Sequence, residues 1–416
     1  MIKIKDSFLK NNLIVFSSSS LINFMNFVYQ IFMVRSLTVA DYGVLNSLLS
    51  VFMIISIPVA SGTTMVAKFT SGYAATGERD RADAFIRKVF KHVFFGSAAF
   101  IVLYFIYGLH MKYFLRLDSA LPIYLIGGLL FFTNLSTVSL GSLQGLESFV
   151  WYSAANVTGT FLKLGLAVLF IGLGWGVAGA IGAILFSQLA AFIVNIIPLR
   201  RDLMFKAKTP APELHLKEKY KYIIPVFVSY AAFAIFTNID IVLVKHFFQP
   251  AEAGAYSVAQ IIGKITLFLP IAIATVLLPR ASGLHAQNKE HRMVLEKSLI
   301  FTGLLCGLVI LVYNLFPEPI LRIFTGKVSA EIILLGRMFS VAMAFLSLSY
   351  VLLSYQLSIN RFGFIKWMAM FSVLYIIAIS IFHKSLSYVL YIMIVNAVIL
   401  FFINLKLAVF NKKTRR

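Results

Sequence analysis

The sequence has few charged residues and a single cysteine. Charged residues make up 13% of the 416 residues, whereas hydrophobic residues make up 60%. The mean hydropathy is +0.89. In soluble domains roughly a quarter of all residues are charged. The present composition therefore excludes an ordinary soluble protein and predicts an integral membrane protein. Because Cys306 is the only cysteine, no intrachain disulfide can form.

Motifs for catalysis and metal binding are also missing. The chain has no P-loop, no H-E-x-x-H and no G-x-S-x-G. Its seven histidines are scattered and lack cysteine or histidine partners at metal-ligand spacing. The segment Gly174–Gly179 matches G-x-G-x-x-G, but it lies between two apolar runs and follows no strand. We therefore expect no enzyme activity, no cofactor and no metal.

Long apolar runs predict an all-α protein with about twelve transmembrane helices. A helix needs about 20 apolar residues to cross the hydrocarbon core. The predicted spans are 12–34, 43–67, 92–110, 120–143, 150–173, 176–199, 222–247, 254–279, 298–316, 331–356, 364–382 and 388–409.

The positive charge is unevenly distributed between alternate loops. The formal net charge is +21, and most of the 37 Lys and Arg residues lie in loops on one side of the predicted membrane. The positive-inside rule then places both termini in the cytoplasm and the protein in the cell membrane. The basic residues are suited to anionic lipid head groups, and no nucleic-acid partner is expected.

The two halves of the chain resemble each other. Aligning Phe24–Ser47 with Ile235–Val258 pairs Gly43 with Gly254 and places an acidic residue two positions before each glycine. This predicts two six-helix bundles related by a parallel internal repeat. The predicted domains are residues 1–199 and 222–416, joined by a basic cytoplasmic linker at 200–221.

Several predicted spans carry polar residues on one helix face. Asn23, Asn26 and Gln30 have this spacing in the first span, as do Gln260 and Lys264 in the eighth. In a bilayer such faces turn inward. They line a hydrated cavity between bundles or form hydrogen bonds that hold the helices together.

Three charged residues lie well inside apolar runs: Lys163, Asp240 and Lys264. A charge at membrane depth costs roughly 2.5–3.5 kcal/mol on insertion scales, so it normally faces a partner, a cavity or water. Asp240 and Lys264 lie on neighbouring predicted spans. Two interpretations remain open for them, a structural ion pair and a functional site.

Two glycine pairs have the spacing of close helix packing. Gly141 with Gly145 and Gly303 with Gly307 form G-x-x-x-G patterns in apolar segments. Small residues at this spacing let two helix backbones approach each other.

Three segments together resemble a known family. They are Val34–Ser50 (VRSLTVADYGVLNSLLS), Asn238–Gln260 (NIDIVLVKHFFQPAEAGAYSVAQ) and Leu143-Gln144-Gly145 after the fourth span. With twelve spans in two halves, the chain resembles the Wzx-type polysaccharide biosynthesis flippases of the multidrug/oligosaccharidyl-lipid/polysaccharide (MOP) exporter superfamily, which share the MATE-like fold.

The resemblance implies a cargo and a set of binding residues. The cargo would be a polyprenyl-diphosphate-linked oligosaccharide, moved from the cytoplasmic to the outer leaflet by alternating access for cell-surface polysaccharide biosynthesis. Basic residues suited to the diphosphate are Lys264, Lys163, Arg35 and Arg337. Residues suited to the sugars are Asn23, Asn26, Gln30 and Gln260.

The resemblance also implies possible partners and an energy source. No ATP-binding motif exists, so coupling to H⁺ or Na⁺, the membrane potential or product removal is expected, with Asp240 as the coupling or gating carboxylate. Polysaccharide-assembly proteins are possible partners.

Two other functions stay open. One is a multidrug exporter of the same fold that exchanges organic cations for H⁺ or Na⁺. The lysines within the spans outnumber the acids there, which favours anionic cargo over this reading. The other is a non-transporting scaffold of an envelope-synthesis complex.

Overall fold

The computed structural model describes residues 2–204, 216–286, 290, 292–326, 328–359 and 361–410. Across these residues the chain forms fourteen helices and no strands. The helices are α1 (Ile2–Ser36), α2 (Val39–Ile55), α3 (Ile57–Ala75), α4 (Arg79–Phe114), α5 (Leu121–Gly145), α6 (Phe149–Gly172), α7 (Gly176–Met204), α8 (Leu216–Phe247), α9 (Pro250–Ala286), α10 (Arg292–Leu315), α11 (Pro317–Thr325), α12 (Ala330–Ser358), α13 (Ile365–Ile381) and α14 (Leu386–Phe410).

The all-α membrane fold predicted from hydropathy is confirmed. Every predicted span overlaps at least one helix. In the part of the chain that the structure describes, eight helices are long and apolar enough to cross a membrane, and α2 and α13 are shorter apolar helices. The protein is therefore a multi-pass helical membrane protein.

Two features differ from the predicted spans. The second predicted span is divided at Ser56 into α2 and α3, and a proline lies in the first turn of α3. Proline lacks a backbone N–H and so favours the start of a helix over its interior. The short helix α11, between the ninth and tenth predicted spans, was not predicted. It ends at Gly326, whose φ of +73° is the left-handed conformation that glycine adopts most readily.

The helices form two compact units. Unit 1 comprises Met1–Leu37 and Ile55–Ile224, and unit 2 comprises Thr38–Ile54 and Pro225–Arg416. Thus α2, apart from its last residue Ile55, belongs to unit 2. The domain boundaries proposed from the sequence stay predictions, and residues 205–215 of the predicted linker lie outside the described residues.

Each unit is built around one central helix. In unit 1, α5 packs against α3, α4, α6 and α7, whereas in unit 2, α12 packs against α9, α10, α11 and α14. Helices α5 and α12 correspond to the fourth and tenth predicted spans. Each is the fourth span of its predicted six-helix repeat. Around α12, the core of unit 2 contains the buried side chains of Phe236, Phe339 and Tyr375.

One of the two predicted glycine pairs makes a close helix contact. A Cβ added to Gly141 would lie 2.7 Å from the backbone oxygen of Thr63, and one added to Gly145 would lie 2.7 Å from that of Ala67. These glycines therefore allow α5 to approach α3 closely, as predicted. The prediction for Gly303 and Gly307 was wrong, because no described atom lies within 4 Å of a Cβ added to either residue.

The two glycines aligned by the internal repeat contact each other within unit 2. A Cβ added to Gly43 of α2 would lie 2.8 Å from the backbone nitrogen of Gly254 in α9. A Cβ added to Gly254 would lie 2.0 Å from the carbonyl oxygen of Val39. Helix α2 thus joins unit 2 through a backbone approach that only glycine permits at these positions.

Candidate functional site in each helical unit

Asp240 lies on α8 in the interior of unit 2 and is fully buried. Its carboxylate accepts a hydrogen bond of 3.0 Å from the hydroxyl of Tyr256. The amide nitrogen of Gln260 lies 3.1 Å from Oδ1 and 3.0 Å from Oδ2. Tyr256 and Gln260 are one turn apart on α9, so both reach α8 from the same helix face.

These hydrogen bonds explain how a carboxylate is tolerated inside the unit. A buried charge is costly unless its oxygens are hydrogen-bonded. Hydrogen bonds to a charged group contribute roughly 1.5–3 kcal/mol each. Tyr256 and Gln260 are themselves buried, so the carboxylate also provides the acceptor that these two donors require.

Lys264 lies one turn beyond Gln260 on the same face of α9. Its Nζ donates a hydrogen bond of 3.1 Å to Oδ1 of Asn238 on α8. Asp240 is close enough to interact with this ammonium electrostatically. Among the described residues, however, no ion pair within 4.0 Å joins the two side chains, so their interaction is electrostatic without direct contact.

The amide of Asn238 is held in one orientation. Its nitrogen donates to the backbone oxygen of Ala234 at 3.0 Å and to the hydroxyl oxygen of Thr237 at 2.9 Å. Thr237 in turn donates its own hydroxyl proton to the backbone oxygen of Phe233 at 3.0 Å. Both N–H groups of the amide are therefore occupied, and Oδ1 is directed toward Lys264.

A second lysine has similar surroundings in unit 1. Lys163 of α6 donates a hydrogen bond to Oδ1 of Asn26 on α1. Its Nζ also lies 4.6 Å from the ring centroid of Tyr29. Asn26 and Tyr29 are three residues apart and share a face of α1. The ammonium is thus held by an amide oxygen and an aromatic face, which attracts cations.

The lysines of the two units have neutral hydrogen-bond partners. Across the described residues, no carboxylate forms an ion pair with Lys163 or Lys264. At an effective dielectric constant of 20, two opposite charges about 4 Å apart attract each other by roughly 4 kcal/mol. An anion that reached either lysine would therefore meet an ammonium that no described carboxylate contacts directly, although Asp240 attracts Lys264 through space.

The remaining predicted site residues are not partners in the hydrogen bonds described above. Arg35 is exposed in the last turn of α1, and Arg337 is exposed near the start of α12. Asn23 is exposed on α1, and Gln30 is half-buried on the same helix. Of the predicted residues, the structure brings together Asp240, Gln260 and Lys264 in unit 2, and Asn26 and Lys163 in unit 1.

Three residues of these clusters were not predicted as site residues: Asn238, Tyr256 and Tyr29. Tyr256 could have been found by extending the face of Gln260 and Lys264 back by one turn of α9. Asn238 is only two residues from Asp240, a spacing that does not indicate a shared helix face. Its contact with Lys264 depends on the packing of α8 against α9.

Among the residues that the structure describes, no other polar groups form a comparable cluster for a ligand. The buried hydroxyl of Tyr375 has no hydrogen-bond partner in the described part of the chain, and it lies close enough to Asp240 to interact electrostatically. No set of three or more His, Cys, Asp or Glu side chains suited to a metal ion occurs among the described residues.

Known structures share this arrangement of helices. A multidrug resistance MATE family transporter of the MOP superfamily, in an inward-facing conformation, aligns with a TM-score of 0.77 and 16% identity over 94% of this chain and 96% of that one. The lipid II flippase MurJ, in an inward closed conformation, aligns with a TM-score of 0.68 and 16% identity over 95% and 87%. The MATE multidrug transporter DinF-BH gives a TM-score of 0.67 and 16% identity over 97% and 94%.

At these identities the similarity establishes the fold alone, which is the one these transporter and flippase structures share. A comparison with curated proteins gives no match. The sequence model described as "Polysaccharide biosynthesis protein" matches residues 8–285, which is more than half of the chain. The chain therefore belongs to the polysaccharide biosynthesis protein family.

Proposed function

We propose that the protein is a lipid-linked oligosaccharide flippase. It moves a glycan carried on a polyprenyl diphosphate from the cytoplasmic to the outer leaflet by alternating access, for cell-surface polysaccharide biosynthesis. It acts in the cell membrane with both termini in the cytoplasm, and it performs no catalysis.

The observation that carries this proposal is the pairing of two lysines with neutral partners. Lys264 is held by Asn238 and Lys163 by Asn26 and Tyr29. A charge inside a membrane protein is expensive to maintain and is typical of a substrate or ion pathway. An ammonium that no described carboxylate contacts directly suits an anionic cargo, and a diphosphate is strongly anionic.

Two further findings support the proposal. The chain belongs to a polysaccharide biosynthesis family, and one of the structures with the same fold is that of a lipid II flippase. The exposed guanidinium groups of Arg35 and Arg337 are suited to bidentate contact with phosphate, and we assign them to the same cargo.

The sugar part of the cargo requires polar, uncharged partners. Asn23, Asn26 and Gln30 share one face of α1, and we assign Asn23 and Gln30 to sugar hydroxyls. Asn26 and Gln260 were also predicted to bind sugar. Because Asn26 holds Lys163 and Gln260 holds Asp240, we assign them secondary roles in sugar binding.

Asp240 is the proposed site of coupling or gating. It is the only carboxylate among the clusters described above, and its partners lie on a neighbouring helix. Exchange of a proton or Na⁺ at this carboxylate would change its hydrogen bonds with Tyr256 and Gln260. Such a change links the ion to the packing of α8 against α9.

A multidrug exporter is the second candidate. It is favoured by the similarity to a MATE transporter over nearly the whole of both chains. Such a transporter binds organic cations and needs an accessible acid. The buried Asp240, which already accepts hydrogen bonds from Tyr256 and Gln260, makes this candidate weaker than the flippase.

The test is a gene deletion followed by mass spectrometry of lipid-linked oligosaccharides. We expect a diphosphate-linked glycan to accumulate, and wild-type protein to reverse the accumulation. Lys264→Ala at equal expression should not reverse it. If no glycan accumulates and the strain becomes sensitive to cationic drugs, the protein is a multidrug exporter instead.

Cysteine labelling separates transport from a scaffold role. The single native cysteine, Cys306, is buried, so background labelling should be low. A cysteine at the exposed position Asn23 should react with an aqueous thiol reagent, and addition of cargo should change its rate. A rate that cargo leaves unchanged, together with no accumulated glycan in the deletion strain, would indicate a scaffold.

A further inference from the structure

The two lysines within the helices share one type of partner, although they lie on different helices. Each donates to the side-chain oxygen of an asparagine, Lys264 to Asn238 on α8 and Lys163 to Asn26 on α1. Helices α1 and α8 begin the two predicted repeats. The two asparagines lie in corresponding turns, since α1 ends at Ser36 and α8 ends at Phe247.

An amide and a carboxylate at this position would have opposite consequences for an anion. The amide oxygen accepts a hydrogen bond from the ammonium and leaves its positive charge in place. A carboxylate at the same distance would form an ion pair and cancel most of the charge. The side chains of asparagine and aspartate have nearly the same shape, but aspartate carries a negative charge.

We propose that Asn238 and Asn26 are positioning residues that determine the specificity for anionic cargo. Each holds a lysine ammonium in place without neutralising it, so that the ammonium can bind the phosphate groups of the cargo. This inference rests on the proposed function and deepens it.

The contacts of Asn238 explain why this position is suited to the role. Its two N–H groups are bonded to Ala234 and Thr237, and Oδ1 faces Lys264. An amide that could rotate freely would also offer its N–H₂ group to the lysine, which would repel the ammonium. The bonds to Ala234 and Thr237 prevent that rotation. For Asn26, the neighbouring Tyr29 ring provides the second neutral contact with Lys163.

The experiment compares aspartate substitutions in the full-length protein purified in detergent. The control for Asn238→Asp is Asn396→Asp, which lies on α14 in the same unit. The two asparagines are 9% and 8% exposed, but the described contact of the Asn396 side chain is with the backbone oxygen of Phe371. Both substitutions therefore bury a new carboxylate, and only the first places it against a lysine.

The probes are geranylgeranyl diphosphate and the neutral alcohol geranylgeraniol, with binding followed by ligand-induced thermal stabilisation. We expect wild-type protein to bind the diphosphate more tightly than the alcohol. In Asn238→Asp, affinity for the diphosphate should fall by at least about tenfold and by up to roughly a thousandfold, the range that follows when one charge interaction is partly or fully cancelled. Affinity for the alcohol should not change. Asn396→Asp should keep the preference of the wild type.

Three further variants keep the test decisive if Asn238→Asp does not fold. Asn26→Asp places a carboxylate against Lys163 at a half-buried position, and Asn156→Asp on α6 is its half-buried control. The amide of Asn156 donates to the backbone oxygen of Tyr152 at 2.8 Å. Asn238→Gln keeps an amide oxygen and should retain the preference for the diphosphate.

The outcomes distinguish this inference from the proposed function. The inference is overturned if Asn238→Asp and Asn26→Asp bind the diphosphate as wild type does, or if the matched controls lose as much affinity. If wild-type protein does not prefer the diphosphate and the deletion strain accumulates no glycan, the proposed function fails as well. If the glycan accumulates and Asn238→Asp restores export fully, only the inference fails.

Discussion

Nζ of Lys264 lies 3.1 Å from Oδ1 of Asn238, whereas the carboxylate of Asp240 is held by Tyr256 and Gln260. Asp240 and Lys264, on neighbouring helices, therefore each have their own hydrogen-bond partners. Each can therefore be changed while the other keeps its hydrogen-bond partners, and only the electrostatic attraction between the two is lost. Substitutions at the two positions should consequently have different effects.

Substitution of Lys264 should abolish export while the protein remains folded. Lys264→Gln keeps a hydrogen-bond donor for Asn238 and removes the positive charge. We expect it to leave the lipid-linked glycan accumulated in a deletion strain, measured by mass spectrometry at matched expression. Lys264→Arg should restore part of the activity because it keeps the charge. Lys384→Gln, at an exposed position between α13 and α14, is the control and should restore export fully.

Removal of the Tyr256 hydroxyl should destabilise unit 2. Tyr256→Phe keeps the ring against Phe339, whose centroid is 4.8 Å away, but removes one hydrogen bond to Asp240. We expect a loss of roughly 1.5–3 kcal/mol, as for other hydrogen bonds to charged groups. The thermal unfolding midpoint in detergent should fall accordingly. Tyr107→Phe on α4, where the side chain is 65% exposed, should leave the midpoint unchanged, and an equal fall in both variants would contradict the prediction.

Asp240 should be required for coupling more than for cargo binding. In proteoliposomes, transport by wild-type protein should respond to an imposed H⁺ or Na⁺ gradient. Asp240→Asn keeps the size of the side chain and removes its charge, so transport should become independent of the gradient while the diphosphate probe still binds. Asp118→Asn, at an exposed position between α4 and α5, is the control. A gradient response in Asp240→Asn equal to that of wild type would exclude the coupling role.

The positions of the helices could be predicted because hydropathy depends on local composition. The break at Ser56 could not, because apolar residues continue on both sides of it, and the first-turn proline gave the only local signal. The short helix α11 was missed because its nine residues are fewer than a span requires. Gly141 and Gly303 show the same limit, since identical G-x-x-x-G patterns face a neighbouring helix in one case and no described atom within 4 Å in the other.

The charged residues of the site could be predicted, whereas most of their partners could not. A lysine or an aspartate inside an apolar run is conspicuous because of its cost in a membrane. Asn238 and Tyr29 are not conspicuous, since an asparagine or a tyrosine in a span is commonly explained by hydrogen bonds between helices. Their roles depend on which faces of α8 and α1 meet the lysines, and that follows from tertiary packing.

The close approach of α5 to α3 gives a prediction with an internal control. Gly145→Ala adds a Cβ at 2.7 Å from the backbone oxygen of Ala67 and 2.8 Å from Cβ of Thr70. Because the first of these atoms is backbone, the helices must move apart, and overpacking of this kind costs about 1–3 kcal/mol. Gly303→Ala is the matched control, since its Cβ meets no described atom within 4 Å.

We expect the thermal unfolding midpoint in detergent to fall for Gly145→Ala. For Gly303→Ala it should stay constant or rise slightly, because alanine favours a helix by about 1 kcal/mol over glycine. If the two substitutions lowered the midpoint equally, the cost would come from a general effect of losing glycine in these helices. A fall confined to Gly145→Ala would attribute it to the contact between α5 and α3.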